Sequence, residues 1–446
     1  MMKLGLFVQG GGHHVAAWRH PSVPYGASQS FPHHLDIARL AEHGRFDMIF
    51  FADTIGTFGP DDIEVWKRGC AASRIEPLTM LSAIAAVTNH IGLVATFSTT
   101  FIEPYYVARQ FASLDKISNG RAGWNLVTSA APSEPPNFGA LKHIPASERY
   151  ARAAEFAKVV LGLWNTWEDD AFIEDRERGR YFDETKMHYL NHMGAHFSVR
   201  GPLTVRRSPQ GHPVLVQAGQ SETGRELAAE TAEVIFTVQQ DIEVCRAFRS
   251  DIHRRAQKFG RDPQAIKIMP GVVPFVGATR DEAKAKFDEL QALIHPEVGL
   301  RVVSDLTGLD LTKHDPDSPM PDAPPNGMQE GRQRVVLDMA KKEGLTIRQV
   351  YERAAGARGH RMIFGSVKEV ADNLEEWFAS EACDGFNIMP PMFPLGLKDF
   401  VEMVVPELQR RGLYRREYEG TTLRENLGLP FPENTYAAAH TKKAAE

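Results

Sequence analysis

The sequence is poor in cysteine, and the few it has are scattered. Cys70, Cys245 and Cys383 are the only three in 446 residues. An odd number at such spacing builds neither a disulfide framework nor a CxxC metal site, and it points to a reducing, cytoplasmic setting. Long apolar runs are missing as well. Nothing reaches the roughly 18 residues of a membrane span, and no basic start followed by an apolar stretch marks a signal peptide. Charge of one sign does not accumulate: 51 Lys and Arg face 57 Asp and Glu, a net charge of −6. The basic side chains lie among acidic ones, which excludes the basic face of a nucleic-acid binder. Two motifs are also absent. Gly10-Gly11-Gly12 opens like a dinucleotide fingerprint, but the third glycine of GxGxxG falls at Val15. The His-x-His pair of a metal-dependent barrel hydrolase is replaced by adjacent His13-His14, whose rings point apart.

What is present is an alternation. Hydrophobic residues make up 43% of the chain and charged ones 24%, ample for a large core. Short apolar runs at 3–8, 47–52, 91–97, 121–127, 214–218, 234–237, 268–276 and 385–389 read as strands. Helical patterns at 31–43, 76–87, 107–114, 146–164, 242–259, 281–293, 367–378 and 398–411 separate or follow them. Eight strand–helix units predict an α/β fold, a (β/α)8 TIM barrel with insertions, and such barrels run from about 200 to over 400 residues. A single domain is expected over 1–430, with insertions near 165–210 and 281–360. A hairpin is expected from 196–200 and 201–205. The Pro- and Asp-rich segment 309–331 reads as a surface loop and a candidate lid, and 431–446 as a flexible tail.

Active sites of such barrels collect at the carboxyl ends of the strands. His13 and His14 follow the first strand, as catalytic groups or ordinary loop histidines. Asp53 ends the second, as a site carboxylate or a helix cap. Thr99 supplies a hydroxyl after the third. In the fourth, alternation puts Gly123, Asn125 and Val127 on one face and Trp124, Leu126 and Thr128 on the other. Asn125 either meets a flat ligand or satisfies nearby backbone. Tyr150 lies on the first turn of the next helix. The run Gly219-Gln220-Ser221-Glu222-Thr223-Gly224 is a strand–glycine–serine–helix turn. There Ser221 is an N-cap, and the free N–H groups carry a partial charge of about +0.5 that suits a phosphate. Trp18, Phe58, Phe101 and Trp124 are either dry walls of a site or plain core. His360, in the loop 356–362, is a weaker candidate for a catalytic group, and a histidine there is more often structural.

The run SLDKISNGRAGWNLVTS (113–129), the run Gly12-His13-His14-x-x-Ala17-Trp18-Arg19-His20-Pro21 and the run Ala218-Gly219-Gln220-Ser221-x-x-Gly224 carry a resemblance. They are similar to the flavin-dependent monooxygenases of the bacterial luciferase superfamily. The branch is the one with nitrilotriacetate, EDTA, dimethyl-sulfide and dibenzothiophene-sulfone monooxygenases, and the likeness extends from near residue 3 to near residue 429. It implies FMN, used as FMNH2, with O2 as co-substrate. It also implies a separate NAD(P)H-dependent flavin reductase, a flavin peroxide, and oxygenation of a small organic substrate. The missing nicotinamide fingerprint agrees with a separate reductase. Asp53 would lie beside the flavin ring system, Tyr150 would contact FMN and Ser221 its phosphate. The family's His-x-x-x-Tyr pattern is broken here, because Ala146 stands where the histidine belongs. His13 or His14 is expected to donate a proton or orient groups near the reacting oxygen. A homo-oligomer, dimer or tetramer, is expected from the family. A deazaflavin-dependent hydride-transfer enzyme on the same fold and a flavin-binding barrel without turnover are the alternatives. The motifs do not select the substrate. Arg19 suits a carboxylate or sulfonate, but it belongs to the shared motif.

Overall fold

Nine strands share one parallel sheet: β1 (Lys3–Val8), β2 (Met48–Phe51), β3 (Gly92–Ser98), β4 (Ala122–Val127), β5 (Val214–Gln217), β6 (Val234–Thr237), β7 (Lys267–Gly277), β8 (Arg361–Ser366) and β9 (Gly385–Ile388). Strands β1 to β7 neighbour one another in chain order, and β9 closes the ring between β7 and β1. The result is an eight-stranded TIM barrel, as the apolar runs predict. The computed structural model describes residues 1–57, 63–69, 73–322, 330–357 and 359–438.

Strand alternation sorts the core into two layers. Phe7, Met48, Phe50, Val94, Val216, Phe236 and Met269 fill the barrel interior. Leu4, Leu6, Ile49, Leu93, Trp124 and Leu215 face outward onto the helix ring, which answers with Ile37, Phe111, Phe156 and Trp377. Both sets are stripped of water, and each buried large side chain of this kind contributes about 1.5–3 kcal/mol.

The ninth strand, Arg361–Ser366, starts inside the segment 356–362 that reads as a loop from the sequence. β7 has eleven residues, more than either neighbour can cover. Its first part pairs β6, from Lys267↔Val234 to Pro270↔Thr237. Gly271 and Val272 pair β9. Val272 to Gly277 runs past the ring, and β8 covers that edge from Arg361↔Val272 to Ser366↔Gly277. An uncovered strand edge would leave its N–H and C=O groups unpaired.

The insertions also differ in detail from the expectation. The hairpin pairs His192–Met193 with Ser198–Val199, one segment earlier than read. Gly201 adopts φ 67° and Pro202 has no N–H to give a ladder, so 201–205 leaves the hairpin. The helices Arg280–Ala292, Pro296–Thr307, Glu330–Glu343 and Ile347–Ala357 form a subdomain, and the last three contribute to a small core with Val303, Leu306, Ile347 and Tyr351. The described part of the expected lid is tied to it: Leu311 is buried there, and Met320 N–H donates to Leu345 O at 3.2 Å. Residues 323–329 of that segment lie outside the described residues. The expected flexible tail is held at its start. Asn434 Nδ2 donates to Asn165 O and Trp167 O at 3.0 and 2.9 Å, and Tyr436 stacks on His188 at 4.4 Å. Residues 439–446 lie outside the description.

Candidate functional site

The mouth is built on an aromatic floor that sequence reasoning missed. Phe7, Phe50 and Phe236 meet at the carboxyl end of the barrel interior, with ring centroids 4.8, 5.4 and 5.9 Å apart. They come from three strands far apart in sequence, and only barrel closure brings them together. His13 lies edge-on to Phe7 at 4.5 Å, with Nε2 3.0 Å from Phe7 O. His360 stacks on Phe236 at 5.1 Å with the planes 12° apart. Gly271 permits that stack: a Cβ there would come within 2.4 Å of His360 Nδ1. His360, expected to be structural, thus shares the floor with His13.

The glycine loop after β1 folds across the strand ends. The N–H groups of His13 and His14 donate to Pro390 O and Pro391 O, both at 3.0 Å. Gly12 has φ 142°, and a Cβ would sit 2.3 Å from Pro391 O, so only glycine lets the two chains approach. The two rings diverge, as adjacent positions predict. His14 Nδ1 accepts from Ala16 N–H at 3.2 Å, and its ring turns toward Gly356 of the helical subdomain. His13 alone of the pair lies on the aromatic floor.

Asn125 is where alternation predicts it, on the inner face of β4 and 3% exposed. Trp124 is buried on the outer face among Phe111, Phe156 and Trp164, as core and not as a site wall. Asn125 Nδ2 donates to Thr96 Oγ1 at 2.8 Å, and Thr96 Oγ1 donates to Phe51 O at 2.8 Å. That relay assigns the amide's orientation. It leaves Asn125 Oδ1 buried without a hydrogen-bond partner. A buried acceptor without a donor costs about 1–3 kcal/mol, so it marks a place built for something else.

Beside Asn125 is a cavity of about 360 Å³ lined by Asp53, Thr96, Ser98, Val127, Ser129 and Glu134, among others. Asp53 Oδ1 is 4.0 Å from Arg74 Nη1. Burial lifts the Asp53 carboxyl above its usual range, and Arg74 opposes that lift. Thr99 departs from the expectation: it is fully buried, and both its N–H and its hydroxyl donate to Val127 O, at 2.9 and 3.2 Å. It clamps the ends of β3 and β4. Thr96, Phe97 and Ser98 line the cavity instead, and Ser98 Oγ accepts from Ser129 Oγ at 2.8 Å.

On another side of the mouth, Tyr150 Oη and Ser221 Oγ are 3.3 Å apart. Ser221 caps the helix Glu222–Thr231, accepting from Gly224 N–H at 3.2 Å. A Cβ on Gly219 would meet Gly224 O at 2.9 Å, so the turn stays narrow and its N–H groups stay accessible. The donors fit a phosphate. Ala146, which starts the helix Ala146–Trp164, offers no polar group there. His143, three residues earlier, has Nε2 2.7 Å from Ala131 O and 3.7 Å from Glu134 of the cavity wall. Trp18 is 42% exposed and bonds Arg68 O, away from the floor. Phe101 stacks on Phe138 at 4.7 Å, and Phe58 lies outside the described residues.

The luciferase-like monooxygenase family profile matches residues 6–380. The N-acetyl-S-(2-succino)cysteine monooxygenase of Bacillus subtilis (strain 168) is 50% identical over 439 residues, covering 98% of each chain. Nitrilotriacetate monooxygenase component A of Aminobacter aminovorans is 49% identical over 444 residues, again covering 98% of each. A riboflavin lyase crystallised with modified FMN and riboflavin superposes with a TM-score of 0.86 at 32% identity, over 99% of both chains. The chain belongs to the luciferase-like monooxygenase family and is a flavin-dependent monooxygenase.

Proposed function

We propose that this protein is the oxygenase half of a two-component system. It takes FMNH2 from a separate NAD(P)H-dependent flavin reductase and puts one atom of O2 into a small organic substrate. The name of the Aminobacter relative, a component A, supports a partner protein. Bound FMNH2 supplies the electrons that activate O2. The chain's own residues hold, orient and keep dry. The Ser221 turn and Tyr150 take the phosphate. Asp53 and Asn125 would meet the ring system, and Phe7, Phe50 and Phe236 would help to keep water from it. His13 holds or supplies a proton through its imidazole, and His14 supports the loop that places it. Thr99 keeps β3 and β4 together under the site. The observation that carries this reading is the orphaned acceptor Asn125 Oδ1, held by Thr96 at the wall of the cavity. The buried free thiols of Cys245 and Cys383 support a reducing compartment, the cytoplasm. The exposed Tyr106 and Ile117 beside a groove between the helices Pro77–Ala85 and Pro104–Ile117 support pairing into a homo-oligomer.

The test is anaerobic titration with FMN and FMNH2, followed by admission of O2 with a substrate panel. FMNH2 should bind more tightly than FMN, and substrate oxidation should consume O2 in proportion. Asn125→Ala should lower kcat/KM by about 100-fold, the scale of losing one placed polar group. Binding of neither flavin form, or unchanged coupling in Asn125→Ala, would remove the reading.

A further inference from the structure

The cavity of about 360 Å³ carries a carboxylate that no sequence motif singles out. Glu134 lines it from the loop after β4 and is only 3% exposed. One of its oxygens is taken: Oε2 accepts from Ala131 N–H at 3.0 Å. Among the described residues none donates a hydrogen bond to Oε1. A carboxylate taken out of water ordinarily collects several donors, because an unmet charged oxygen is costly. At the same wall Thr96 holds Asn125 by its amide nitrogen and leaves Asn125 Oδ1 buried without a donor. Two open acceptors therefore lie together, and both call for a ligand that donates.

The Glu134 carboxylate is fixed in place. Glu134 N–H donates back to Ala131 O at 3.1 Å, and His143 Nε2 donates to the same carbonyl at 2.7 Å. Asn137 Nδ2 ties the following turn to Ile55 O at 3.0 Å. Phe138 of that turn stacks on Phe101 at 4.7 Å. A carboxylate held this way discriminates between ligands instead of adapting to them.

We propose that Glu134 selects the redox state of the flavin. In the oxidised ring N5 carries a lone pair. Two-electron reduction places a hydrogen there and turns the acceptor into a donor. The open oxygen of Glu134 accepts that hydrogen bond from the reduced ring, whereas it meets the oxidised ring lone pair against lone pair. Reduced flavin is held and the spent, oxidised form is let go, by one attractive and one repulsive contact at the same atom. Glu134 takes no part in bond making. This assignment rests on the oxygenase reading, which brings the ring system to this cavity.

The test is equilibrium binding of FMN and, anaerobically, of FMNH2 to the full-length protein, with the potential of the bound flavin as a second readout. Wild type should prefer FMNH2 by about 10-fold or more, the scale of one charge-assisted bond. Glu134→Gln keeps the shape and inverts the contact. Its amide oxygen stays on Ala131 N–H, so its NH2 group replaces Oε1 and presents a donor. FMNH2 binding should weaken and FMN binding should tighten, and the preference should fall by about 10- to 100-fold. By linkage the potential of the bound flavin should drop by about 30 mV for each tenfold. 5-Deaza-FMN, which has a carbon in place of N5, should bind wild type and variant equally. Equal losses for FMN and FMNH2 in Glu134→Gln, as a purely structural residue would give, overturn the proposal. So does an unchanged preference, or a shift of the same size with 5-deaza-FMN. Equal binding of both forms by wild type overturns it too and leaves the oxygenase reading standing. Binding of neither form removes that reading and the proposal with it.

Discussion

The two ends of the barrel treat polar groups in opposite ways. At the base they are paired with one another inside the fold. Asp47 and Arg415 meet at 2.6 Å with side chains at most 1% exposed. Arg424 holds Glu233 at 2.6 Å and also bonds Gln210 O and Pro430 O. Arg121 gives its guanidinium to the carbonyls of Ala85, Thr88, Ile91 and Ser118 and to the Thr88 hydroxyl. The segment that supplies Arg415 and Arg424 also plugs the base with Leu423 and Leu427. At the mouth, by contrast, Asn125 Oδ1 lacks a donor, and a cavity lined by its partner Thr96 lies open beside it. The buried charges at the base are answered from within the fold, whereas the Asn125 acceptor beside the cavity is not.

Perturbing each end should separate these roles. The largest effect is expected at the base. Arg415→Met strands the Asp47 carboxylate, which burial already disfavours, and should cost about 3–5 kcal/mol in urea unfolding. A loss below about 1 kcal/mol would mean that the pair is no more important than a surface one.

A smaller effect is expected from His212, also at the base. Burial lowers its imidazole from the ordinary 6.5 to about 4. Between those values the unfolded chain takes up a proton and the folded chain does not. Stability contributed by the neutral ring is therefore full above pH 6.5 and is lost as pH falls toward 4, by about 3 kcal/mol in total. His212→Gln should remove that slope. Asp115, raised to about 6 by burial, works in the other direction. The comparison of variant with wild type at each pH cancels its contribution. Parallel curves for the two proteins would show that the ring is not the sensor.

The smallest effect is expected at the mouth. Ser221→Ala should weaken FMN binding by about 10- to 100-fold, one hydrogen bond to a charged group. Riboflavin binding should not change, and stability should fall by about 1 kcal/mol for the lost cap. Equal losses for FMN and riboflavin would move the phosphate elsewhere.

Much of this was legible beforehand, for physical reasons. Apolar runs bounded by turn residues fix where parallel strands can lie, because only such runs survive burial on both faces. Period-two alternation was enough to send Asn125 inward and Trp124 outward. The Ser221 cap was readable because capping is local, within three residues. Thr99 reads as a site hydroxyl from its place at a strand end, but its bonds to Val127 O, which tie β3 to β4, are not local. One residue of register decides between cavity and clamp, and the register is set by β4. His360 and β8 were hidden because their partners, Phe236 and the far half of β7, are about a hundred residues away in the chain.

By itself, then, the sequence determined the strands, their inward faces and the serine-capped turn at Ser221, since these depend on neighbours a few residues apart. Tertiary structure alone decided the aromatic floor, the pairing at the base and the meeting of Arg74 with the loop after β2. Those contacts exist only once the ring has closed, and no local spacing encodes which distant side chains closure brings together.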